Sequence, residues 1–366
     1  MKIAIFVTYT YPYIGSGIGN VALAQAEGLV SLGHDVTVIS SNFPKTEGEF
    51  TRNKVKHLKL SAIYFLEKFH VPVPLYLFNR KAIKLIKTSD IIHIHDSVYP
   101  SSVLACLLGK FYHKPIILTQ HVAFITYPNF VINYIQKFAY LTIGKLTFHL
   151  SDRIIYFNPE VKKLIGNDKK IIFLPNGVDL QLFNTPKASE KSLFRAKYNL
   201  PINKKLILFV GRFVPKKGYR LLFEARNDKY LTLFIGSGEI PEFMKKAKNV
   251  IFFPAKKQKE LSEIYKLSDI FVLPSYGEGF PLSIQEAMAS GLPIITSKEN
   301  IFDTSIDFIK TVDRNVSAIK KAIFNLITNN KLTSIMSKKS RRFAEKNYSW
   351  SKNLDLLTKL YHKVSN

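Results

Sequence analysis

Short apolar runs alternate with segments of helical period along this chain, and they do so in two successive series. Lys2–Thr8, Asp35–Ser40, Ile91–His95, Pro115–Thr119 and Arg153–Phe157 read as buried strands, with a helix over 18–32. Near 175 the pattern is broken by Pro175-Asn176-Gly177, a turn-forming cluster, and a charged, helical-looking stretch over 187–198 follows. A second series then runs through Lys205–Val210, Tyr230–Ile235, Val250–Phe253, Ile270–Leu273 and Pro293–Thr296. Strands alternating with helices predict parallel sheets covered on both faces. The expectation is an α/β chain of two Rossmann-like, doubly wound halves, residues 1–179 and 180–345. A terminal helix is expected within 346–366, spaced at Leu354, Leu357, Leu360 and Tyr361.

At 366 residues the chain exceeds what one hydrophobic core usually serves, which agrees with two domains. Its 53 Lys+Arg against 27 Asp+Glu give a formal charge of +26 and imply an anionic partner. Nucleic acid, an anionic membrane surface and phosphorylated substrates all satisfy that requirement. The lone cysteine, Cys106, excludes an internal disulfide framework and a Cys-based zinc site. Residues 3–26 lack Asp, Glu, Lys and Arg and contain Ala24-Gln25-Ala26, which imitates a signal-peptidase site. The apolar core there is only Ile3 to Val7, too short for an export signal. Residues 115–136 are equally free of charge, but Gln120, His121, Asn129, Asn133 and Gln136 make them too polar for a spanning helix. The expected location is the cytoplasm, with peripheral contact at the inner face of the membrane.

Three loops at strand ends carry the candidate chemistry. The first is Gly15-Ser16-Gly17-Ile18-Gly19, running from the first strand into a helix. Glycines there let backbone N–H groups approach a phosphate, and a helix N-terminus favours negative charge. The plainer reading is an ordinary glycine-rich connection, and the full dinucleotide fingerprint is missing. The second is Gly211-Arg212-Phe213-Val214-Pro215-Lys216-Lys217-Gly218. It sets cations at the carboxyl edge of a parallel sheet, where such folds bind ligands; otherwise it is a solvated basic turn. The third spans Ser275 to Pro293, where a glycine-rich loop leads into a helix near Leu282 and two glutamates, Glu278 and Glu286, stand eight positions apart. Carboxylates so placed can accept hydrogen bonds from sugar hydroxyls, or merely complement the helix dipole.

The run from Glu278 through Gly279-Phe280-Pro281-Leu282 to Glu286-Ala287-Met288-Ala289-Ser290-Gly291-Leu292-Pro293 resembles the E-x7-E signature of GT-B retaining glycosyltransferases of family 4. The resemblance continues through Gly211-Arg212 with Lys217-Gly218, Gly236-Ser237-Gly238, Pro175-Asn176-Gly177-Val178-Asp179, Gly33-His34-Asp35 and Ile91-Ile92-His93-Ile94-His95, in the right order over nearly the whole chain. It implies a GT-B fold, two halves facing each other across a cleft, with the terminal helix packing back on the first. It also implies a nucleoside diphosphate sugar as donor, its diphosphate held by Arg212, Lys217 and backbone amides of Gly17 and Phe280–Leu282. Ser16, Gly236, Gly238, Gly279 and Pro281 belong to the same donor-binding set. Glu286 takes the ribose hydroxyls, and Gly236–Glu239 with Pro254–Lys257 lie near the base. Glu278 and His121 stand at the transferred sugar as catalytic residues.

The chain departs from the family pattern at Ser16-Gly17, where paired glycines are usual, and at Lys298-Glu299-Asn300-Ile301, where a Gly-Gly-x-x-Glu turn is usual. The second departure puts in doubt any role for an acidic residue in this loop, such as Asp303. The chain contains no D-x-D, so transfer without a metal or other cofactor is expected. Basic and aromatic residues interleave over 54–88 and over 130–148. On amphipathic segments they suit an anionic bilayer and hence a lipid-linked saccharide acceptor, although solvated helix faces give the same pattern. Two alternatives stay open: a GT-B nucleotide-sugar epimerase, and a basic nucleic-acid-binding protein. Against the latter, no recognised nucleic-acid module is present and the cations are spread along the chain, so no nucleic-acid partner is expected.

Overall fold

The computed structural model describes residues 1–11, 17–42, 48–66, 71–74, 79–124, 130–167, 169–276, 281–298 and 306–365, with backbone alone for 63–66 and 71–74. Ser16, Glu278, Gly279, Phe280 and Asp303 lie outside the described residues. The chain divides into two compact units, Met1–Asn176 with Ser351–Asn366, and Gly177–Trp350. The boundaries expected at 179/180 and 345/346 therefore fall at 176/177 and 350/351.

The first unit carries β1 (Lys2–Phe6), β2 (Asp35–Ser41), β3 (Gly48–Arg52), β4 (Val55–Leu60), β5 (Ala62–Leu66), β6 (Val71–Pro74), β7 (Ile91–His95), β8 (Ile116–Thr119), β9 (Arg153–Tyr156) and β10 (Ile171–Phe173). Eight of these form one sheet in the order β10-β9-β8-β7-β1-β2-β4-β3, and β5 pairs with β6 apart from it. All pairings in the large sheet are parallel except β3 with β4. The central strands are apolar on both faces because helices cover both; β1 and β7 bury Ile3, Ile5, Ile92 and Ile94 to within 2%. The helix Trp350–Ser365 belongs to this unit from Ser351 onward. Leu354 sits so tightly over Gly28 that a β-carbon there would overlap its side chain. Tyr361 is fully buried and hydrogen-bonds His93 Nδ1 at 2.7 Å.

The second unit holds β11 (Lys205–Val210), β12 (Tyr230–Gly236), β13 (Val250–Pro254), β14 (Ile270–Leu273), β15 (Ile294–Ser297) and β16 (Ile309–Val312), in the order β13-β12-β11-β14-β15-β16 and parallel throughout. Apart from the antiparallel β3/β4 pair, each sheet reverses its strand order once, at β1/β7 and at β11/β14. In open parallel sheets ligands bind at such switch points, outside the carboxyl ends of the strands.

Residues 54–60 differ from the expected amphipathic surface segment. They contain the whole of β4, where Lys59 is 3% exposed and its Nζ donates to the Thr10 carbonyl at 3.1 Å. Burial pulls the Lys59 ammonium down to about 8. The strand alternation turns Lys56 outward to Asp35 (2.8 Å) and Lys59 inward, where it ties the segment after β1 to the sheet edge.

Candidate functional site

In the second unit the site is built from strand ends. After β11 the chain turns at Gly211 and Arg212, and Phe213 N–H donates to the Ser237 carbonyl at 2.8 Å, joining this loop to the one after β12. Gly236 is required at this junction, because a β-carbon there would overlap the Gly211 carbonyl oxygen. The cation segment Pro215–Lys217 is a 3-10 turn closed by Gly218 in the left-handed region, φ +71°. A side chain at Gly218 would also strike the Pro274 carbonyl, which opens the loop after β14. Tyr276 N–H donates to the Lys216 carbonyl at 3.1 Å, so these neighbouring loops are bonded to each other.

Arg212 is exposed, and no side-chain partner holds its guanidinium among the described residues. Lys217 is half-buried. The helix Leu282–Ala289, which follows β14, the strand next to β11, starts with Pro281 at its cap and no side-chain cap hydrogen bond. The amides of Leu282 and Ser283, in its first turn, have no intrahelical acceptor and suit an anion.

Glu286 lies one turn into that helix. Its carboxylate accepts from the hydroxyl of Tyr265, on the helix Gln258–Leu267, at 2.9 Å. Part of Glu286 is still accessible, but its surroundings are apolar enough that burial pushes the carboxyl up to about 7, with the Tyr265 bond pulling the other way. Tyr265 was not legible as a site residue: nothing in its local sequence distinguishes it from a core tyrosine. A cavity of about 800 Å³ opens along Gly236, Ser237, Gly238 and Pro254, walled by Phe213 and Phe252. The two segments expected near a base therefore line one space.

The first unit gathers a separate set at its own switch point. Gly17 begins the helix Gly17–Ser31, with open space around its Cα. His121 follows β8 and is 5% exposed; its Nε2 lies 2.8 Å from His95 Nδ1, and its backbone N–H donates to Asp96 Oδ1 at 2.7 Å. His93 and His95 stack at 4.7 Å, and His95 and His121 at 5.1 Å. Burial lowers the His121 imidazole to about 3, so it is neutral at physiological pH.

One hydrogen is shared between His95 Nδ1 and His121 Nε2. His95 Nε2 is buried without a partner among the described residues. A stranded N–H costs more than a stranded lone pair, so we assign the shared hydrogen to His95. His121 then carries its own proton on Nδ1, as a neutral donor. Asp96, missed in the sequence, sits directly after His95 in the left-handed region at φ 64°. Burial raises its carboxyl to about 7 against the backbone hydrogen bonds from His121 and Val122. The run His93-Ile94-His95-Asp96 was its only signal.

Two family models match the chain. The one described as Glycosyltransferase Family 4 covers residues 15–182, and the one described as Glycosyl transferases group 1 covers 190–350. An uncharacterized glycosyltransferase of Methanocaldococcus jannaschii is 28% identical over 100% of this chain and 99% of its own length. The UDP-Gal:alpha-D-GlcNAc-diphosphoundecaprenol alpha-1,3-galactosyltransferase of Escherichia coli is 28% identical over 76% of this chain and 77% of its own. Among solved structures, HepE of Anabaena in complex with UDP superposes with a TM-score of 0.78 at 13% identity, covering 99% of this chain and 100% of that one.

Proposed function

Because the chain belongs to the family 4 type of GT-B glycosyltransferases and takes its sugar from a nucleotide-sugar donor, we propose that it performs retaining, metal-independent transfer to a lipid-linked saccharide at the cytosolic membrane face. The observation that carries the donor assignment is the convergence at the β11/β14 switch point of Arg212, Lys217, a helix N-terminus and the Glu286 carboxylate. In the reaction the bond from the anomeric carbon to the diphosphate oxygen breaks, and a bond to the acceptor oxygen forms on the same face. The acceptor proton passes to the departing diphosphate. Arg212, Lys217 and the amides of Leu282 and Ser283 stabilise the charge gathering there. Glu286 holds the ribose, Gly236–Gly238 and the Phe213 wall receive the base, and neutral His121 donates to the sugar. The absence of D-x-D from the sequence supports transfer without a metal.

The acceptor reading draws on the first unit. The helix Phe130–Ala139 buries none of its residues; Phe130, Tyr134 and Phe138, one turn apart, are 81%, 71% and 61% exposed, with Lys137 among them. Leu141, Leu146 and Lys145 continue the exposed ridge. Among the described residues no helix is long and apolar enough to cross a membrane. A ridge of this composition suits the interface of a bilayer instead. The Escherichia coli relative, by its name, acts on a diphosphoundecaprenol-linked sugar, which agrees with this reading.

The test is a screen of UDP-, GDP- and ADP-sugars against undecaprenyl-diphosphate-linked acceptors, with the product anomer read by NMR and the assay repeated in EDTA. Inversion, or activity lost in EDTA and restored by Mg²⁺, overturns the corresponding part of the proposal. In liposome flotation at low salt the protein is expected with anionic but not neutral vesicles. Replacing Phe130, Tyr134 and Phe138 together by Ser should cut that binding about tenfold or more. Flotation with neither vesicle type removes the membrane reading, and equal flotation with both removes its anionic part.

A further inference from the structure

Arg314 lies two residues beyond β16, far along the chain from either donor loop, yet its side chain reaches both. Its Nε–H donates to the Pro274 carbonyl at 3.1 Å and its Nη2–H to the Pro215 carbonyl at 2.9 Å. The guanidinium also lies over the Tyr276 ring, 4.6 Å from its centroid. Pro215 opens the turn that carries Lys217, and Pro274 opens the loop that leads to Glu278 and the helix of Glu286. The same two segments meet through the Tyr276 amide and at Gly218. A planar, permanently charged fork can bond two carbonyls and stack on a ring at once; lysine has neither the plane nor the fork.

We propose that Arg314 is the positioning residue of the donor site, a strut that fixes the spacing between the Arg212–Lys217 loop and the loop after β14. It touches neither sugar nor phosphate in this role and acts through the backbone it holds. Without it the two loops lose their shared cation, and the cationic and carboxylate halves of the diphosphate-sugar site drift apart. The proposal rests on the donor-site reading above, so its test includes a readout that does not depend on activity.

In Arg314→Ala, hydrogen exchange at the Tyr276 amide is expected to accelerate about tenfold or more while core amides of β11 and β14 exchange as before. The kcat/KM for the donor is expected to fall about 100-fold, since displacement of about 1 Å in a positioning element has that scale. Binding of the nucleoside diphosphate that stabilises the wild type should weaken about tenfold, and added guanidinium ion should restore part of both losses. Arg314→Lys should fall between the two and carries the same readouts if the alanine variant does not fold. Unchanged exchange at Tyr276 with unchanged donor affinity overturns the proposal. A wild type that binds no nucleoside diphosphate instead sinks the donor-site reading, and the exchange experiment still judges the strut.

Discussion

Arg212→Ala is expected to lower kcat/KM for the nucleotide-sugar donor by about 10²–10³-fold, the scale for removing one preorganised stabiliser of transition-state charge. The same substitution should leave stability within about 0.5 kcal/mol of wild type. Both halves follow from one fact: Arg212 is exposed, and its guanidinium has no side-chain partner among the described residues. A structural arginine behaves otherwise. Arg195, by contrast, is buried, bonds the carbonyls of Leu267 and Ile202 and pairs with Asp269 at 2.7 Å, so its loss should unfold the unit. Steady-state kinetics together with thermal denaturation decide the matter. If Arg212→Ala and Glu286→Ala both leave transfer undiminished, the assignment of this site fails.

Glu286→Gln should move activity and stability in opposite directions. Glutamine keeps an oxygen for the Tyr265 hydroxyl but removes the buried charge. A hydrogen bond to an ionised acceptor contributes about 1.5–3 kcal/mol, so donor affinity should drop roughly 10- to 100-fold. The stability sign follows from the raised carboxyl. Its ordinary value is 4.5 and in the folded chain it is about 7, so between those values the folded state holds a proton that the unfolded state releases. Stability is therefore lost as pH rises from about 4.5 to 7, and Glu286→Gln escapes that loss. The variant should be about 3 kcal/mol more stable than wild type at pH 8 and close to it at pH 4. In the wild type the apparent donor affinity should fall about tenfold from pH 8 to pH 6, as the carboxyl takes up its proton. His121, held neutral down to about 3, should add no step in that range. Denaturation and donor titrations across pH check each sign.

The strands that position the site were legible because their apolar, β-branched runs have few other folds to adopt. The E-x7-E run and the glycine loops were legible through their resemblance to a family pattern, which orders them along the chain. What escaped was of two kinds. The segment over 48–60 is cation-rich, and its alternation was too polar to announce β3 and β4. Tyr265, Asp96 and Arg314 act through partners between 21 and 99 positions away, or through a buried backbone amide, and no local pattern encodes such contacts. The raised carboxyl of Glu286 is likewise a property of its surroundings, not of its motif.

The return of the terminal helix to the first unit has a consequence for biosynthesis. Leu354 and Tyr361 emerge from the ribosome only after all of Gly177–Trp350 has been made. Until then Gly28 lacks its cover and His93 its hydroxyl partner, so the histidine ladder behind His121 is incomplete. Although domains generally fold in the order they are synthesised, here the half translated first is finished last. The enzyme therefore gains the Tyr361 partner of its histidine cluster only when both units have been made, and no free, partly made first half is expected to carry it.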